Sequence, residues 1–328
     1  MTANCQSKQV NDSKLVLVTG ATGFIGKALV NRLSSFNDYA VRSALRKNGQ
    51  KIGMTGNCVV TGDLSPHTDW TCALSGASVL VHAAARVHAI ADSSENILAA
   101  YHTANVDATL NLATQAAAIG VKRFVFISSA KVLGEDSRPF SSLAEGDDYL
   151  PRDAYAESKM RAELGLIAIS EKTGMELVII RPPVVYGPGV RSNFRTLMKA
   201  VSKGVPLPFG LIFNSRSLVA LDNLVDFIVT CVMHPGAANQ IFLVSDGSDL
   251  STPDLVRGIA SAMNRPARLV PVPVLLLRAG ATLFSREDIF QRLCGSLCLD
   301  ISKAHRMLNW KPPITVAEGL RRAVVGYD

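Results

Sequence analysis

The sequence predicts an α/β fold, a doubly wound parallel sheet with helices on both faces, followed by a smaller mixed C-terminal lobe. Three observations carry this. Short apolar runs alternate with helix-length segments from residue 14 to residue 181. The runs are apolar on successive residues, as strands buried on both faces require. The first run ends in glycines at 20, 23 and 26 that open directly into an amphipathic segment.

The first strand is read over residues 15–19 and its helix to about residue 33. Gly20 allows the sharp turn, Gly23 lets backbone approach a phosphate, and Gly26 lets helix and strand pack closely. The helix start then aims free N–H groups and its positive dipole end at an anion. Thr22, Phe24 and Ile25 complete this turn, so the expected ligand is a dinucleotide pyrophosphate on a Rossmann-type unit. A second strand is read at 40–46, a third at 58–60 and a fourth at 78–82. A long helix covers about 95–119, a fifth strand 123–127, a helix 153–173 and a sixth strand 176–180. After Arg181, prolines at 182, 183, 188, 206 and 208 break the alternation. Within 218–245, two apolar runs are expected to rejoin the sheet. The expected organisation is a flexible tail over 1–13, a cofactor-binding domain over 14–181, and a mainly substrate-binding lobe over 182–328.

Composition narrows the function. The 328 residues are 48% hydrophobic and 19% charged, enough to bury a large core. No apolar run reaches the ~18 residues of a membrane span; the stretch 270–284 is interrupted by two prolines and Arg278. A cytoplasmic protein without stable membrane insertion is expected. The formal charge is +7, yet the cations are dispersed, which favours small anionic ligands over nucleic acid. Six cysteines form no CxxC pair, and no metal site is expected.

Tyr155 and Lys159 are one helical turn apart on one helix face. A neighbouring ammonium is expected to draw a phenol downward from about 10, so that it exchanges a proton near neutrality. Ser129, at the end of the fifth strand, is placed to hold the same substrate oxygen. At the end of the second strand an NAD-selective protein usually carries Asp or Glu. Here Arg46 and Lys47 stand instead, and these favour the 2′-phosphate of NADP(H), with NAD(H) as the other possibility.

These residues, in this order, resemble the extended short-chain dehydrogenase/reductase family, in its nucleotide-sugar branch of epimerases, dehydratases and ketoreductases. The matching stretches run from the glycine turn through Asp63-Leu64, Ala83-Ala84-Ala85, Asn105, Ser128-Ser129, Tyr155/Lys159 and the segment 181–189 to Trp310. The resemblance implies catalysis by Ser129, Tyr155 and Lys159. It implies cofactor contacts at Asp63, Leu64, Ala83, Ala84, Ala85, Asn105 and Pro182, and substrate contacts at Val184 and Arg216, with Asn193 and Phe194 just past that segment read as sugar or uracil contacts. Lys131, where this chain departs from the family pattern, is read either as a contact to a substrate N-acetyl oxygen, carboxylate or phosphate or as a solvated strand-end lysine. It further implies a UDP-sugar substrate and a homodimer formed through the helices at 95–119 and 153–173, where Ala113, Ala116 and Ala117 make a face of small side chains that suits either this helix packing or the domain's own core. Dehydratases of this branch carry Asp-Glu after the serine or threonine; Ala130-Lys131 stands here and argues against dehydration. The principal expectation is NADP(H)-dependent reduction of the C4 ketone of a UDP-4-keto-6-deoxy-N-acetylhexosamine for surface polysaccharide. The alternative is a UDP-hexose or UDP-N-acetylhexosamine 4-epimerase with bound NAD. A non-catalytic NADP-binding regulatory module is more remote, since such proteins lose the Tyr/Lys pair that this chain keeps.

Overall fold

The computed structural model describes residues 14–47, 57–87, 94–137 and 141–326. The expected tail over 1–13 lies outside them. The chain divides into two compact units, each built from several stretches: residues 1–129, 153–180 and 228–241 in one, and 130–152, 181–227 and 242–328 in the other.

The first unit is organised on a seven-stranded sheet in the order β3-β2-β1-β4-β5-β6-β9. Its strands are β1 (Lys14–Thr19), β2 (Tyr39–Leu45), β3 (Asn57–Val60), β4 (Ala77–His82), β5 (Arg123–Ile127), β6 (Glu176–Arg181) and, at one edge, β9 (Gln240–Leu243). The pairs from β3 across to β6 are parallel, as crossover connections through helices demand. The helices of this unit are α1 (Phe24–Leu33), the short α2 (Thr71–Leu74), α3 (Ser94–Tyr101), α4 (Ala108–Ile119) and α5 (Ala154–Thr173). Helices α3 and α4 are joined by a π-helical turn, His102–Asp107. The stretch expected as one long helix thus carries a wider turn in its middle, a feature that gathers at functional sites.

Burial follows the pattern of the runs. Val16, Leu17, Val18, Leu80, Val81, Phe124 and Phe126 are fully enclosed. Leu112, Ala113 and Ala116 of α4 pack with Ala162 and Leu166 of α5 into the same core. Ala113 and Ala116 therefore serve this unit's own interior, which removes them from the expected dimer face. Arg123 is 7% exposed and donates to the carbonyls of Cys231, Val232 and His234, closing a helix C-terminus, while its Nε reaches Glu176 at 2.7 Å.

The second unit contains a two-stranded parallel sheet, β7 (Val184–Tyr186) on β8 (Leu218–Ala220). Of the two apolar runs within 218–245 expected to rejoin the main sheet, only the second does, as β9; the first is corrected here. Strand β8 is three residues long and satisfies its backbone on β7 instead. The helices are α6 (Ser192–Ser202), α7 (Leu221–Met233, which continues into the first unit), α8 (Thr252–Ala262), α9 (Val274–Leu283), α10 (Glu287–Cys294), α11 (Ser302–Leu308) and α12 (Val316–Val324). A buried polar knot fixes this unit. Tyr186 Oη donates to Asp246 Oδ2 at 2.7 Å, while Asp246 Oδ1 accepts from Ala220 N and Asn223 Nδ2. Burial and the Asp246 charge hold the Tyr186 phenol well above its ordinary value, so it remains a donor.

Candidate active site

The glycine turn is built by close backbone approach. Gly20 has φ +69°, and a Cβ there would sit 2.7–2.8 Å from the backbone of Ala83 and Ala84. A Cβ on Gly26 would lie 2.1 Å from Gly20 O, which no side chain can relieve because the obstruction is backbone. Gly23 N donates to Gly20 O at 2.8 Å and Gly23 caps α1 with no side chain across the helix start. The first turn of α1 carries no acidic residue. Thr22 is exposed beside this start and Phe24 and Ile25 are half-buried. An anion-accepting helix start flanked by Ala83, Ala84 and Ala85 at the end of β4 fits a dinucleotide pyrophosphate.

At the end of β2 the structure pairs two residues expected to act separately. Arg46 Nε meets Asp63 Oδ1 at 2.5 Å, both largely exposed. An exposed pair of this kind is worth little and opens readily to a ligand. Leu64, next to Asp63, is half-buried against the core.

Tyr155 and Lys159 sit on α5. Asp153 caps this helix by accepting from Ala156 N at 2.7 Å, which fixes the first turn and the Tyr155 backbone within it. The Tyr155 ring meets Tyr101 edge-on at 6.2 Å. One turn on, Lys159 is 2% exposed; its Nζ donates to Ile127 O at 2.8 Å and lies 4.5 Å over the Phe126 ring. Ile127 ends β5, so Lys159 is tied two residues before Ser129, itself half-buried. Burial lowers the Lys159 ammonium to about 7 against the opposing charge of Glu163. Tyr155 stands above its ordinary value, first from burial and then from Asp153 and Tyr101. That differs from the expectation of a lowered phenol: burial disfavours the phenolate, and the neighbouring Asp153 and Tyr101 add to it.

Three groups missed in the sequence support the pair. Glu163, one turn beyond Lys159, is fully buried and accepts a short hydrogen bond from Ser128 Oγ. Glu163 reads in sequence as one more helix-surface charge; only the packing of α5 on the end of β5 buries it. His82 is also fully buried, with Nδ1 2.7 Å from Thr19 Oγ1 and Nε2 3.0 Å from Thr109 Oγ1. Burial, then the Lys159 charge, depresses His82 to about 3, so it is neutral. Ser158 donates to Tyr155 O and accepts from Asn105 Nδ2. Asn105 sits in the π-helical turn and spends its other side-chain bonds on the backbone of Arg86. It thus ties the α5 turn that carries Tyr155 to the segment after β4.

In the second unit the expected cofactor residue Pro182 and the expected substrate residues divide. Pro182 is buried and its carbonyl accepts from Ala130 N at 2.9 Å. Val184 (48% exposed) and Asn193 are open to solvent. Phe194 stacks on Tyr186 at 5.4 Å and is 7% exposed, so it packs in the core of this unit. Lys131 is ion-paired with Glu135. Arg216 donates to Gly295 O at 2.8 Å and feels the charges of Glu135 and Asp136. Lys131 and Arg216 thereby share one charged neighbourhood around Glu135. Trp310 is buried, with Nε1 on Asp226 Oδ2 at 3.0 Å.

Residues 16–245 match the model of the NAD dependent epimerase/dehydratase family. The chain belongs to that family. A relative, the UDP-glucose 4-epimerase of Vibrio cholerae, is 46% identical over 315 residues, covering 96% of this chain and 95% of its own. Among solved structures, the UDP-glucuronic acid 4-epimerase from Bacillus cereus in complex with NAD superposes with a TM-score of 0.76 at 22% identity, over 94% of this chain and 96% of that one. The UDP-glucose 4-epimerase of Thermotoga maritima with UDP-glucose gives 0.73 at 21% identity, over 95% and 97%. Both structures establish a shared fold. The protein is an enzyme of the epimerase/dehydratase family with a Rossmann-type sheet.

Proposed function

We propose that the protein is a UDP-hexose 4-epimerase that works through a bound nicotinamide dinucleotide. The observation that carries this reading is the arrangement on α5: Tyr155 and Lys159 on one face, with Lys159 Nζ fastened to Ile127 O beside Ser129. The 46% identical relative named above supports the choice of epimerase over the other reactions of the family.

The glycine turn, Asp63 and the alanines after β4 would hold the dinucleotide, and its nicotinamide supplies a hydride acceptor that later returns the hydride. Tyr155 takes the proton from the C4 hydroxyl and gives it back after the sugar has turned over. Lys159, one turn on, is proposed to stand as a positive charge beside the phenolate form of Tyr155 when it serves as base, and Ser129 to steady the C4 oxygen as it becomes a ketone. Lys131 and Arg216 are the cations proposed to meet the nucleotide diphosphate. Pro182 is proposed to border the nicotinamide.

A second reading has its own observation. The chain leaves β2 through Arg46 and Lys47, both exposed, with no acidic residue at those two positions and with Arg46 paired to Asp63. That favours NADPH and net reduction of a UDP-4-keto-6-deoxy-N-acetylhexosamine. One pair of assays separates the two. NAD-loaded protein interconverting UDP-glucose and UDP-galactose supports the epimerase. Rapid NADPH consumption with the 4-keto sugar, and no interconversion, replaces it with the reductase. Arg46→Asp should then weaken NADPH by about tenfold or more while sparing NADH; equal loss for both would remove Arg46 from cofactor selection.

A further inference from the structure

Large apolar side chains are concentrated on one part of the second unit. Helix α9 buries none of its ten residues. Leu275 and Leu283 are 78% and 79% exposed, Leu276 62%, and Phe284, just past the helix, 74%. The loop carrying Phe213, 92% exposed, is laced to the chain that leads into α9. Leu207 N bonds Arg268 O, Val270 N bonds Leu207 O, and Gly210 N bonds Val270 O, at 2.8–3.0 Å. Single exposed apolar residues are ordinary, but a group this size on neighbouring segments is not.

The residues of α9 that share an open surface are Leu275, Arg278, Ala279, Thr282 and Leu283. Their spacing is that of one helix face. The same part of the chain is basic. Residues 264–294 hold five arginines (265, 268, 278, 286 and 292) against two acids, Glu287 and Asp288. Glu287 is occupied by Thr282 Oγ1 at 2.6 Å, and Arg265, Arg268, Arg278 and Arg286 are exposed. Leucine and phenylalanine flanked by arginine is the composition of an element that lies in a lipid interface, apolar groups at the acyl boundary and cations among anionic headgroups.

We propose that α9 and its flanks dock on the surface of an anionic phospholipid bilayer. Ten residues make a helix about 15 Å long, half the thickness of a bilayer core, so α9 lies along the surface and does not span it. Among the described residues no helix is long and apolar enough to cross. A second copy fits this face less well. A two-fold contact sets a patch against itself, which here brings arginine-rich surface onto arginine-rich surface. The inference stands apart from the proposed reaction and holds for either reading of it.

The test uses the full chain with sedimented vesicles of phosphatidylcholine, alone or containing phosphatidylglycerol. The expected result is binding about tenfold or more tighter to the phosphatidylglycerol vesicles, weakened by salt. Leu283→Glu with Phe284→Glu, at exposed positions that the fold tolerates, should abolish binding. Arg278→Glu with Arg286→Glu should remove the preference for phosphatidylglycerol. Circular dichroism and thermal melting of both variants should match the parent. Failure of the parent to bind either vesicle overturns the proposal, as does binding that neither double variant alters. A lipid-free dimer that Leu283→Glu/Phe284→Glu dissociates, without vesicle binding by the parent, would assign the face to a second copy.

Discussion

Replacing Glu163 by Gln should move the titration of Lys159. The carboxylate lies one helical turn from the lysine on α5, and side chains at that spacing have Cβ atoms about 5–6 Å apart. At an effective dielectric near 20, opposite charges about 6 Å apart attract by about 3 kcal/mol, which corresponds to about two pH units. The Lys159 ammonium already stands at about 7, with Glu163 the charge that opposes burial. In the Gln variant it should fall further, by a shift of that order. The fold should survive, because a Gln carbonyl still accepts from Ser128 Oγ. NMR of the nitrogen-labelled lysine amine reads the shift directly, and the pH dependence of kcat should move with it. Stability gives an independent sign. The unfolded chain keeps the Lys159 proton to about 10.4 and the folded chain only to about 7, so this group's contribution rises with pH through that window. In the variant the rise should begin about two units lower. A Lys159 titration unmoved by Glu163→Gln would refute the electrostatic role given to that carboxylate.

Three further outcomes follow from the same geometry. Tyr155→Phe should lower kcat by about 10²–10⁴ while leaving cofactor binding and the melting temperature nearly unchanged; steady-state kinetics and calorimetry check both. Gly26→Ala should cost several kcal/mol or prevent folding, because its Cβ would lie 2.1 Å from Gly20 O; urea unfolding reads the loss, and a parent-like midpoint would contradict the packing described. His82 titrates at about 3 in the fold and about 6.5 in the unfolded chain, so its contribution is complete above about 6.5 and declines as pH falls toward 3. Melts of His82→Gln between those limits should show a shallower acid decline than the parent; parallel curves would mean the imidazole is solvated.

What could be read in the sequence was whatever depends on neighbouring residues. The β1 turn and α1 were legible because strand period, glycine spacing and helix period meet within about twenty residues. The Tyr155/Lys159 face followed from helical spacing alone. The small β7–β8 sheet was not legible, since a three-residue apolar run looks alike whichever sheet takes it. The assignment of residues 130–152 to the second unit also depends on long-range contacts, such as Ser137 N to Ser296 O. The lowered phenol was expected from a neighbouring charge and failed because burial, invisible in sequence, sets the larger effect at Tyr155. The bonds of Asn105 to Arg86 and Ser158 were not legible either, since they join residues 19 and 53 positions away through a π-helical turn that helical periodicity does not announce.

The account rests on Tyr155 and Lys159 serving a reversible oxidation at C4 in which the hydride returns to the sugar it left. Incubating the NAD-loaded protein with UDP-glucose deuterated at C4, and analysing the UDP-galactose formed, tests this directly. Deuterium retained at C4 of the product is the predicted result. Product without deuterium, or no interconversion while NADPH is consumed with a 4-keto sugar, would contradict it.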